Sequence, residues 1–131
     1  MFEFFARAEN LERITPPWLR FRVLTPLPIA MRPGTLISYA LSLHGMPIRW
    51  LTEIEEWQPP VRFVDAQRKG PYALWRHTHR FEESDGATSI IDDVEYALPF
   101  GPLGRLAHGF VARDIARIFD YRTERVQMLL R

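Results

Sequence analysis

The chain contains no cysteine. That excludes disulfides, thiolate nucleophiles and thiolate metal sites together, and it fits a reducing compartment, so a cytoplasmic location is expected. No apolar run approaches the ~20 residues needed to span a bilayer. The opening "MFEFFARAEN" has neither the basic region nor the small-residue cleavage site of a signal peptide, so neither export nor stable membrane insertion is expected. Charge of one sign is also lacking: 17 basic and 16 acidic residues leave a formal +1. Such a balance sets up no field that would steer the protein onto nucleic acid, and a nucleic-acid partner is not expected. Glycine is sparse, and "GPLGR" lacks the Gly-Lys-Ser/Thr ending of a phosphate loop, so it reads as a helix start.

What is present suits one compact unit. The 131 residues, 47% of them hydrophobic, can build a single core, and residues 1–131 read as one domain. Eleven prolines mark element ends. Residues 2–14 carry apolar side chains at Phe5, Ala8, Leu11 and Ile14, which predicts a short amphipathic helix closed by Thr15-Pro16-Pro17, with a helical turn near Trp18. The period then changes. "RFRVLTP", "GTLISYALSLHG", "PIRWLTEIEEWQ", "RFVDAQRKG", "YALWRHTHRFEE" and "TSIIDDVEYALP" alternate in polarity and predict six antiparallel strands. Beyond Pro99, Val111, Ile115, Ile118, Phe119, Val126 and Leu129 fall on one stripe of a long C-terminal helix. At ~1.5 Å per residue, about 29 residues give ~43 Å, enough to cross the sheet from end to end. The expected class is α+β: a curved antiparallel sheet with a long helix laid across one face, whose concave side can stay partly unfilled.

The histidines of "LWRHTHRFEE" can be placed by register. Asp85-Gly86 is a preferred centre for a two-residue hairpin, which sets Phe81 opposite Ile90, His79 opposite Asp92, His77 opposite Val94 and Trp75 opposite Tyr96. That face is aromatic and aliphatic, hence the covered one. The opposite face pairs Arg76 with Glu95 and sets Thr78 against Asp93, as a solvated face should. A hairpin centred on Gly45-Met46 turns Ile37, Tyr39, Leu41, Leu43, Ile48, Trp50, Thr52 and Ile54 inward. The turn in "RKGPY" can take two or three residues, and one choice turns Phe63, Asp65 and Gln67 inward. Arg122 falls on the apolar stripe of the long helix, four residues from both Ile118 and Val126, and a guanidinium there requires a partner. Asp92 is the first candidate and Asp65 the second. The interior is thus expected to hold a polar cluster of His77, His79, Asp92 and Arg122 in an aromatic cavity.

The strings "FFARAENLERITPPWL", "GPYALWRHTHRF" and "DDVEYALPFGPLG" with "IFDYR" resemble the START-like, SRPBCC superfamily, in particular bacterial members described as polyketide cyclase/dehydrase-like or ligand-binding. The resemblance covers nearly the whole chain. It implies a helix-grip fold, in which a seven-stranded antiparallel sheet wraps a long C-terminal helix around an apolar pocket that takes lipids, polyketides or similar molecules. Two departures stand out. The chain begins inside the first helix, so the usual first strand is not seen: either the start is truncated, or the sheet has six strands and an exposed edge that could pair two copies into a homodimer. "PLPIAMRPG" stands where plant members carry a glycine-rich loop.

From these readings the expected function is binding, transport or sensing of a small apolar molecule, with no cofactor. Tyr39, Trp50, Phe63, Trp75, His77, His79, Asp92, Tyr96 and Arg122 are its candidate contacts. The alternative is a cyclase or dehydrase in which His79, oriented by Asp92, transfers a proton while Arg122 or Tyr39 stabilises an enolate. Metal binding by His77 and His79 with Asp92 is geometrically allowed, because residues two apart on a strand share a face. It lacks a fourth ligand, since His44 reads as a hairpin tip and His108 as the helix start, and no metal is expected.

Overall fold

A computed structural model describes residues 2–99 and 102–129, with side chains for 2–99 and 109–129. The side chain of His108 and those of the helix start therefore lie outside the described residues. Six strands, β1 (Arg22–Val23), β2 (Leu36–Leu43), β3 (Met46–Gln58), β4 (Arg62–Lys69), β5 (Leu74–Ser84) and β6 (Ala87–Ala97), form one antiparallel sheet in sequence order. Two short N-terminal helices, α1 (Phe2–Phe5) and α2 (Leu11–Ile14), precede the sheet, and the long α3 (Pro102–Leu129) follows it. This is the α+β, helix-grip architecture expected.

The hairpins explain the order. Asp85 and Gly86 both have positive φ, and Ser84 pairs with Ala87, so the β5–β6 register is the predicted one, with His79 opposite Asp92 and Trp75 opposite Tyr96. The β2–β3 register is shifted by two residues from expectation. His44 and Gly45 take positive φ, Leu43 pairs with Met46, and Tyr39 therefore faces Trp50 rather than Thr52. A shift of two keeps every side chain on its predicted face, because side chains alternate with period two.

Three elements depart from the sequence reading. The single N-terminal helix is broken: Arg7 is extended, and a short 3-10 turn (Ala8–Asn10) separates α1 from α2. The break lets Phe2 and Phe5 enter one core cluster with Phe63 and Phe81, while Ala8 enters another with Ile37, Tyr39 and Ile54. The Asn10 side-chain amide donates to the Phe4 carbonyl at 2.8 Å across the break. The first strand is reduced to two residues, because the prolines at 26 and 28 end it. Third, β3 and β4 are not a uniform ladder. Pairing slips between Leu51 and Thr52 and again between Ile54 and Glu56. At the second slip Glu55 and Glu56 oppose Val64 alone, so Trp57 joins Ile54 on the inward face and packs with Phe63 at a ring distance of 5.3 Å.

The β4–β5 connection settles the open turn. The Gln67 amide donates to the Tyr72 carbonyl at 2.7 Å, while its oxygen accepts from the Tyr72 N–H at 3.1 Å. Gly70 makes this clamp possible, since a Cβ there would stand 2.6 Å from Gln67 Oε1. The resulting register places Phe63 opposite His79 and Asp65 opposite His77, both turned inward. No strand lies beyond β6 among the described residues.

Candidate functional site

Between the sheet, α2 and α3 lies a cavity of about 180 Å³. That exceeds the ~150 Å³ of an engineered cavity that takes up benzene, and it falls below the ~300 Å³ at which drug-sized pockets begin. Leu19, Leu41, Trp50, Trp75, Ile115 and Ile118 are among its apolar walls. One end is polar, formed by Asp65, His77, His79 and Arg122, with Tyr39 and Thr52 nearby on the wall.

The polar end comes from three strands and the helix. His77 and His79 share the inward face of β5 and are buried, at 4% and 2% exposure. Their rings stack at 3.6 Å, and Phe63 covers the other face of His79 at 3.9 Å, so the three rings form a column. His79 Nε2 lies 2.6 Å from Asp65 Oδ2, and its Nδ1 lies 3.4 Å from an Arg122 Nη. His77 Nε2 lies 2.8 Å from Asp92 Oδ1, which also faces the Arg122 guanidinium at 3.4 Å. Arg122 itself stands over the rings of Phe5 and Phe119 at 5.3 and 5.5 Å, which fixes its plane.

These contacts assign the tautomers. A guanidinium only donates, so His79 Nδ1 is the acceptor and Nε2–H donates to Asp65. Ionised Asp92 accepts from His77 Nε2–H and from Arg122, which leaves the Nδ1 lone pair of His77 without a partner among the described residues. Burial, the neighbouring His79 and Arg122 all oppose a charge on His77 and bring its pKa down to about 4, against the Asp92 hydrogen bond. Burial and Arg122 hold His79 well below the ordinary histidine range. Burial raises Asp92, but the His77 bond and Arg122 outweigh it and leave the carboxyl at about 2. Asp65 is raised by burial, against the pull of His77 and Arg122. Burial pushes the Tyr39 hydroxyl far up and the Tyr72 hydroxyl to about 12, so both stay protonated.

The predicted cluster of His77, His79, Asp92 and Arg122 is thus brought together, with two corrections. The carboxylate hydrogen-bonded to His79 is Asp65, not Asp92, whose oxygen stands 3.6 Å from His79 Nδ1. The group with metal-ligand spacing is Asp65, His77 and His79, within 4.8 Å of one another, again not Asp92. Stacked imidazoles send their lone pairs along parallel planes rather than toward one point, and Arg122 adds a cation beside them, so this arrangement suits a hydrogen-bonded cluster better than a metal centre.

Of the other candidates, Tyr39, Trp50 and Trp75 line the cavity, whereas Phe63, Asp92 and Tyr96 do not. Phe63 is buried in the core with Phe2 and Phe81, Asp92 stands behind His77, and Tyr96 lies beside Tyr72 and Trp75. Leu19, Phe21 and Tyr72 are among the wall residues that the sequence reading missed; for Tyr72 the glutamine–glycine spacing of "QRKGPY" was a trace. His44 is tied to α3 by Asp114 at 3.5 Å and lies against Phe110, away from the cluster.

A curved antiparallel sheet holding a long C-terminal helix over an apolar cavity defines a protein of the helix-grip class. Residues 1–120 match the family described as polyketide cyclase/dehydrase and lipid transport, and the chain belongs to that family. Arg122 lies just past the matched segment. Among solved structures, the protein Ms6760 from Mycobacterium smegmatis shares the fold at 18% identity and a TM-score of 0.69, over 98% of this chain and 80% of that one. TTHA0849 from Thermus thermophilus does so at 23% identity and a TM-score of 0.62, over 93% and 86%. Ara h 8.0201 does so at 16% identity and a TM-score of 0.63, over 92% and 82%. No curated protein matches the sequence.

Proposed function

We propose that the protein binds and carries, or senses, a small hydrophobic molecule in the cytoplasm, through Tyr39, Trp50, Trp75, His77 and Arg122 in the cavity wall. The observation that carries this reading is the cavity of about 180 Å³ with apolar walls and a single polar end. The family's description as lipid transport supports it. The size points to a ligand of one or two fused rings rather than a long acyl chain. Native mass spectrometry of protein purified without denaturation tests it: a co-purifying mass in the range of a small ring compound is expected. A protein that carries no such mass and takes up no apolar ring compound when it is offered would overturn it. The same spectra report the oligomeric state; pairing of two copies through the open edge of β6 predicts a dimer.

A second reading, proton transfer on a bound enolisable compound, is favoured by one observation. His77 is oriented by Asp92 at 2.8 Å and its Nδ1 has no partner among the described residues, whereas both nitrogens of His79 are engaged. The general base on this reading is His77 rather than His79. Turnover of polyketide-like substrates that disappears in His77→Gln would support it, and binding without turnover would remove it.

A further inference from the structure

We propose that the polar end of the cavity selects an uncharged ring compound bearing a hydroxyl group, whose one proton is donated to His77 Nδ1 or to Asp65, and that it rejects a carboxylate on the same ring. The inference rests on the reading of the cavity as a binding site and names the chemistry of its occupant.

Charge counting comes first. The cluster holds two carboxylates, Asp65 and Asp92, against one guanidinium, Arg122, and both imidazoles are kept neutral by burial. With Asp65 ionised it is one positive charge short, and burial, which raises the Asp65 pKa, already works against that charge. A third carboxylate, brought in on a ligand, would deepen that deficit in a site from which water is being displaced, where uncompensated charge is very costly. Arg122 lines the cavity, but its one charge is already shared between the two carboxylates of the cluster. Its positive charge is engaged by Asp92 at 3.4 Å, it donates to His79 Nδ1 at the same distance, and two aromatic rings lie against its faces.

The direction of the hydrogen bonds comes second. The chain of donors runs from Arg122 to His79 and on to Asp65, and separately from His77 to Asp92. The imidazole protons and one Nη group of Arg122 are thereby spent inside the cluster. Without a partner among the described residues are two acceptors on residues that line the cavity, the Nδ1 lone pair of His77 and Oδ1 of Asp65. A ligand hydroxyl supplies the missing donor, whereas an ether or a ring carbonyl would meet lone pairs with lone pairs.

Isothermal titration calorimetry at pH 7 with four compounds of one ring system decides this: naphthalene, 2-naphthol, 2-methoxynaphthalene and 2-naphthoate. The expected order is 2-naphthol about tenfold or more tighter than naphthalene, as one hydrogen bond to an ionised acceptor gives, then 2-methoxynaphthalene, with 2-naphthoate weakest. Asp65→Asn, checked for folding by circular dichroism, is expected to narrow the gap between 2-naphthol and 2-naphthoate. If naphthalene binds but 2-naphthoate equals or exceeds 2-naphthol, Arg122 is the recognition group and this inference is wrong while the cavity reading stands. If naphthalene and 2-naphthol bind equally, the polar end is not read and the inference again fails. If none of the four binds, the cavity reading itself fails and takes the inference with it. The wild-type series is decisive by itself even where Asp65→Asn does not fold.

Discussion

The two faces of the sheet use the same chemical pairs in opposite surroundings. On the convex face Arg68 bonds Glu53 and Glu55 at 3.1 and 2.9 Å, Arg76 bonds Glu55 at 2.7 Å, and Arg62 bonds Glu56 at 2.8 Å. These side chains share partners and are partly exposed, Arg68 at 41%. Even so, the buried Nε atoms of Arg62 and Arg80 find no partner among the described residues. On the concave face Arg122 is 11% exposed and faces a defined set of groups: Asp92, His79 and two aromatic rings. Where water covers the pairs, any one can be lost and its neighbours re-pair. Where side chains cover them, each charge and each proton has an assigned place. The second arrangement is the one able to recognise a ligand.

The contrast can be broken most forcefully at Arg122. Arg122→Met leaves Asp92 and Asp65 without their cation, and breaking a buried pair in this way costs ~3–5 kcal/mol; urea unfolding should show the loss as a lower midpoint. Acid attacks the same cluster next. With its pKa near 4 in the folded chain against 6.5 ordinarily, His77 is protonated more readily when unfolded. Stability is then complete above pH 6.5 and falls toward pH 4, by roughly 3 kcal/mol for a shift of that size. Asp92, held near 2, adds a loss below about pH 4, while the raised Asp65 works in the opposite sense. Urea midpoints between pH 7.5 and 4 test the slope, which His77→Gln should flatten. Asp65→Asn removes an ionised acceptor and frees the His79 tautomer, at ~1.5–3 kcal/mol, read by the same unfolding measurement. The smallest effect belongs to the convex face: Arg68→Ala should cost only ~0–1 kcal/mol, and less still in high salt. A large loss there would erase the difference between the faces.

How far the sequence revealed this site depended on the kind of signal. Asp85-Gly86 carries its backbone conformation in its residue types, so the β5–β6 register and the inward pair His77 and His79 were legible. His44-Gly45 carries the same conformation less openly, because positive φ is uncommon for histidine, and the β2–β3 register was read two residues away. The partner of His79 was illegible for a further reason. It depends on the slips at Arg68 and Glu55 and on the Gln67 clamp around Gly70, which together decide where Asp65 stops along β4. Strand periodicity does not encode such offsets. Arg122 was legible as a cation on an apolar stripe, and its first-named partner Asp92 does face it.

The column of Phe63, His79 and His77 has a spectroscopic consequence. The imidazole of His79 is shielded by the rings of Phe63 and His77 stacked on it, and that of His77 by the ring of His79. Their proton resonances should therefore be displaced upfield, and those of His79 well apart from those of the half-exposed His44. Both histidines line the cavity, so a molecule at the polar end lies beside that column. The protein thus carries its own nuclear magnetic resonance reporter, able to register occupancy of the cavity without a label.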